Sequence, residues 1–81
     1  MYKLGRVLHV SSSGRLIVRG ETKPNLGDKV TNDKGKFIGV VFDVFGPTNA
    51  PYVSVKTEID KPHRLINRTL YASRRRRRSR R

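Results

Sequence analysis

Apolar residues along this chain come in short alternating runs, each ended by a cluster of Gly, Ser, Asn or Pro. Alternation predicts a first strand over Lys3–Val10, with Leu4, Leu8 and Val10 on one side. Ser11-Ser12-Ser13-Gly14 reads as a turn by composition, and Arg15–Arg19 then completes a hairpin. Glu21–Asn25 is a loop, and Leu26-Gly27-Asp28 leads into a short third strand, Lys29–Thr31. Asn32-Asp33-Lys34-Gly35 is a second turn, with Gly35 placed for positive φ after a type I turn. Lys36–Phe45 is the longest run, and Gly39 within it predicts a bulge or a sharp bend. Tyr52–Lys56 and Thr69–Ala72 are the fifth and sixth strands. The polar stretch between them, Thr57–Arg68, accommodates one helical turn at Lys61–Ile66. Helical periodicity is nowhere sustained over about ten residues, and turn signals recur roughly every 8–12, as in an all-β barrel or sandwich.

The segment from Phe42 to Val55 is the most informative. It reads as strand, tight loop, strand, because Gly46 permits special backbone angles and Pro47 cannot donate to a ladder. Pro47 and Pro51 stiffen the loop, its tip offers little charge, and Phe45 and Tyr52 flank it. Those features suit docking against another protein better than they suit chemistry. The expected contact residues are Val44, Phe45, Gly46, Pro47, Thr48, Pro51, Tyr52 and Val53. At least three of the six aromatics are needed in a core this small, and strand alternation puts Phe42 and Phe45 on opposite faces, one of them inside.

Phe45-Gly46-Pro47, an Asn two residues on, and Tyr52-Val53-Ser54-Val55 resemble the signature of the Gar subunit of box H/ACA ribonucleoproteins. The likeness extends to Gly5–Val10, Leu16–Arg19, Gly27–Val30, Gly35–Gly39 and Leu70-Tyr71, so it covers most of residues 3–72. This resemblance implies a closed six-stranded antiparallel barrel and a non-catalytic accessory subunit. It implies binding to the catalytic subunit of the RNA-guided pseudouridine synthase, whose substrate-holding loop the subunit would bias, assisting substrate loading and product release. Guide RNA and substrate rRNA would be met through the complex. The lack of a glycine-arginine extension matches the short archaeal form, which implies a cytoplasmic location, nucleolar in a eukaryote.

Charge adds a second element. Of the net +13, seven charges lie in Arg74, Arg75, Arg76, Arg77, Arg78, Arg80 and Arg81, leaving +6 on the body. The tail has like charges and nothing apolar to bury, so residues 1–73 are expected to fold and 74–81 to remain a disordered basic tail that binds RNA phosphates without sequence preference. A free-standing RNA-binding barrel, of a ribosomal or translation-associated kind, is the rival reading. Cysteine is absent, which excludes disulfides and thiolate metal sites, and no apolar run approaches the roughly 18–20 residues of a membrane span. The start Met1–Gly5 has no signal-peptide core.

Candidate chemistry is sparse. Asp43 alternates with Phe42 and Val44 on a strand and is expected to face solvent or pair with a lysine; His9 and His63 are expected on or near the surface, without metal-ligand spacing. The glycines form neither a G-x-G-x-x-G nor a phosphate-binding P-loop. The sequence therefore predicts no enzyme, no cofactor, no metal and no small-molecule substrate.

Overall fold

The structure, a computed structural model, describes residues 2–47 and 49–73. Six strands follow in chain order: β1 (Tyr2–Val10), β2 (Leu16–Gly20), β3 (Lys29–Thr31), β4 (Phe37–Phe45), β5 (Tyr52–Thr57) and β6 (Thr69–Ser73). One 3-10 turn, Pro62–Leu65, interrupts the β5–β6 connection where a helical turn is expected. Every pairing is antiparallel, and the order β1-β2-β5-β4-β3-β6 closes on itself as a barrel. Closure removes the free sheet edges that a chain this short has no other element to cover. The turn at Asn32–Gly35 forms as expected: Gly35 has φ +83°, its N–H donates to the Asn32 carbonyl at 3.0 Å, and Asn32 N–H bonds the Lys36 carbonyl.

The core is aliphatic. Leu4, Val7, Leu16, Val18, Val30, Ile38, Val41, Val53, Val55, Leu70 and Ala72 fill it. No aromatic is among these residues, against the expectation of three, because branched side chains from six strands already fill so narrow an interior. Two further expectations fail, both through bulges. Register shifts at Lys3/Gly5 and at Val7/His9 move β1 out of strict alternation, so Leu4 and Val7 point inward and Leu8 outward. A shift at Val41/Asp43 does the same in β4, and Phe42 and Phe45 are both exposed. One inserted residue exchanges the faces of everything beyond it.

Asp28 is a buried acid at the entry to β3. Its Oδ2 accepts the Tyr2 hydroxyl at 2.9 Å and the Asn25 N–H at 3.1 Å, so it ties the chain start to the β2–β3 loop. Asp28→Ala should lower the unfolding free energy by about 2–3 kcal/mol, because the Tyr2 hydroxyl and the Asn25 N–H lose their buried acceptor. Tyr2→Phe should cost about 1 kcal/mol. Denaturant midpoints at constant m-value measure both.

The pairings give the barrel two poles. The end of β4, the start of β5, the β2–β3 loop and Ser73 lie at one pole. The β1–β2 turn, the β3–β4 turn and the β5–β6 connection lie at the other.

Candidate functional site

The loop joining β4 to β5 is built around Gly46. Its φ of +92° turns the chain, and a Cβ there would sit 2.9 Å from Cδ2 of Tyr52. The missing side chain therefore serves two ends: it permits the turn and leaves room for the tyrosine ring. The rings of Phe45 and Tyr52 lie 5.8 Å apart, tilted by 30°, within the range of favourable aromatic pairs. Phe45 is 46% exposed and Tyr52 half-buried. Pro47 is exposed, and its carbonyl accepts the Ala50 N–H at 3.3 Å across the loop. At the loop's end the Pro51 carbonyl accepts the Gly20 N–H at 2.8 Å, anchoring the loop to β2.

The expected contact set divides accordingly. Phe45, Gly46 and Pro47 are exposed and Tyr52 is half-exposed beside them. Val44 is half-buried against the core, while Pro51 and Val53 are buried, so these three support the loop from within and do not form its surface. Val53 pairs with Val18 of β2 on its other side, which fixes it in the barrel wall. Thr48 and the arginines Arg74 to Arg81 lie outside the described residues.

Strand register adds residues that the sequence reading lacks. Phe45 pairs with Tyr52, Tyr52 with Arg19, and Arg19 with Arg6. All four belong to one row across β4, β5, β2 and β1, and both arginines are exposed. An aromatic pair thus continues into two guanidinium groups on the outer wall. The bulge puts a third aromatic on the outside: the Arg15 guanidinium carbon stands 3.9 Å from the centroid of the Phe42 ring, a cation–π contact. Tyrosine, phenylalanine and arginine are the types enriched at protein interfaces.

The residues weighed for chemistry stand apart. Asp43 is exposed and its Oδ1 accepts the N–H of Val44 at 2.8 Å, a local bond that shapes the strand end. His9 and His63 are exposed on different elements. Among the described residues no three His, Asp or Glu side chains gather as a metal site, and no helix is long and apolar enough to cross a membrane.

An uncharacterized protein of Methanothermobacter thermautotrophicus is 46% identical over 67 residues, which cover 83% of this chain and 67% of that protein. An uncharacterized protein of Methanocaldococcus jannaschii is 41% identical over 49 residues, covering 60% of this chain and 59% of its own length. No family model matches the chain.

Proposed function

We propose that this chain, which belongs to the same family as the Methanothermobacter protein, is a non-catalytic accessory subunit of the H/ACA RNA-guided pseudouridine synthase. The observation that carries the reading is the solvent-facing Phe45–Tyr52 pair, seated on Gly46 beside the exposed Pro47. These are the residues on which the Gar resemblance rests. The bound partner is the catalytic synthase subunit, and the effect on turnover comes from biasing its substrate-holding loop between open and closed states. A subunit that binds one of those states more tightly shifts their populations without chemistry of its own. Pro47 limits the conformations that docking must order, which favours association.

Purification of the tagged chain from its archaeal host after nuclease treatment tests this. The synthase, identified by mass, should remain bound once RNA is gone. Loss of every protein partner on nuclease treatment would favour the second reading, an RNA-binding barrel. Arg19 and Arg6 support that reading, since aromatic rings flanked by arginines also form platforms for stacked bases.

The seven tail arginines supply affinity for phosphates without sequence preference. Replacing all seven by glutamine should flatten the log–log salt dependence of RNA binding by up to about 5, taking about 0.7 for each single-strand phosphate contact. The far-UV spectrum and the hold on the synthase should be unchanged. Loss of either would show that the tail packs on the barrel or its partner.

A further inference from the structure

The pole opposite the aromatic loop carries a cleft of about 600 Å³. One wall is the β3–β4 turn, with Asn32, Asp33 and Lys34; the other is the segment from the 3-10 turn into β6, with Arg64, Asn67, Arg68 and Tyr71. Three cations and one acid therefore face one opening. No ion pair joins Asp33 to Lys34, Arg64 or Arg68, so it neutralises none of them by direct contact. Unpaired like charges converging on a cleft repel one another, and an anion bound there relieves the repulsion.

Both walls are held by hydrogen bonds from backbone N–H groups. Asn32 Oδ1 accepts the N–H groups of Lys34 at 2.8 Å and Lys36 at 2.9 Å, which fixes the turn. On the other wall Asn67 takes φ +70°, a conformation asparagine tolerates better than most residues. Its N–H donates to the Val7 carbonyl at 2.8 Å, Arg68 N–H donates to Leu65, and Val7 N–H returns a bond to the Arg68 carbonyl. The positive side chains thus stand on a backbone set before any ligand arrives.

We infer that this cleft binds the phosphodiester backbone of single-stranded RNA. Guanidinium forks from Arg64 and Arg68 suit phosphate oxygens, Lys34 adds a point charge across the opening, and the side-chain N–H groups of Asn32 and Asn67 can donate to phosphate or ribose oxygens. β6 runs away from the cleft and ends at Ser73, at the aromatic pole. The cleft is separate from the loop surface, and the inference does not rest on the synthase reading. A barrel docked by one pole would leave this one free to guide RNA along a path.

Titration of the full chain with an oligouridylate, followed by amide NMR, tests the site. The expected result is concerted shifts at Asn32–Lys34 and Arg64–Tyr71. Arg64→Gln combined with Arg68→Gln should abolish those shifts, weaken RNA binding about tenfold and lower the log–log salt slope by up to about 1.4. Lys34→Gln, on an exposed turn, provides a second variant and should lower the slope by up to about 0.7. Shifts confined to the tail or to the β4–β5 loop would overturn the assignment. So would a polyglutamate peptide that matched oligouridylate in affinity at the same amides, since the cleft would then be a site for acidic protein segments.

Discussion

Gly39→Ala should leave little native barrel under conditions in which the wild-type chain is folded. Gly39 of β4 pairs with Thr57 of β5, and a Cβ built on it would lie 2.0 Å from the carbonyl oxygen of Lys56 and 2.9 Å from its carbon. The obstacle is backbone, so no rotamer change relieves it; β4 and β5 must separate at this pair. A domain of about 70 residues has roughly 4–10 kcal/mol of net stability, and backbone displacement at a closed wall removes on the order of 4 kcal/mol or more. Gly5 is the counterpart on the far side, where the same construction falls 1.9 Å from the Arg19 carbonyl oxygen and φ is +149°. Gly14→Ala is the control. Its φ is positive like that of Gly5, at +84°, but it faces open space, so its cost should stay near 1 kcal/mol. Circular dichroism through a urea titration separates the two. A Gly39→Ala protein within about 1 kcal/mol of wild type would refute the narrow closure that places the β4–β5 loop.

The largest functional effect is expected at the aromatic pair. Tyr52→Ala should weaken binding to the synthase by about 2 kcal/mol, close to thirtyfold, and Phe45→Ala by a similar amount. Both rings stand outside the aliphatic core, so the associated stability loss should be no more than about 1.5 kcal/mol, the scale of one aromatic pair. This split between affinity and stability separates an interface anchor from a structural ring. Pro47→Glu places a charge on the exposed turn and should cost at least about tenfold in affinity with the fold intact. The double variant Phe45→Ala/Tyr52→Ala should lose less than the sum, because each single change already breaks the pair. Calorimetric titration into the purified synthase, beside thermal unfolding of each variant, gives both quantities. Wild-type affinity in a folded Tyr52→Ala protein and in Pro47→Glu would move the interface to another surface.

Much of this architecture is legible in local chemistry. Each turn carries residues that permit few alternatives: Ser11–Gly14, Asn32–Gly35 and Gly46-Pro47 all bound strands where composition places them. The Pro62–Leu65 turn likewise falls where one helical turn is expected. Faces are less legible: Gly39 marks the irregularity of β4 against β3, where Val30 pairs with Gly39 and Thr31 with Phe37, but the bulges at Val7/His9 and Val41/Asp43 carry no such mark. Counting back from Val10 opposite Leu16 puts Arg6 opposite Gly20; the shift at Val7/His9 puts it opposite Arg19, beside Tyr52. That single residue decides whether Arg6 joins the aromatic row. The bulge at Val41/Asp43 similarly decides that Phe42 meets Arg15 in solvent. Burial of Pro51 and Val53 follows from pairing with β2, a partner far away in the chain that no local pattern announces. The basic cleft depends on two segments distant in the chain meeting at one pole, so its cations look like ordinary surface charge until the barrel closes.

The proposed role is that of a subunit that performs no chemistry and changes turnover by docking through the β4–β5 loop. Multiple-turnover pseudouridylation by the guide-RNA-loaded synthase, measured without this chain, with it, and with Phe45→Ala/Tyr52→Ala, tests that most directly. Wild-type chain should raise the steady-state rate, the double variant should leave it near the level without the chain, and the chain alone should convert no uridine. Steady-state rates that are the same in all three reactions, at concentrations that saturate binding, would contradict it.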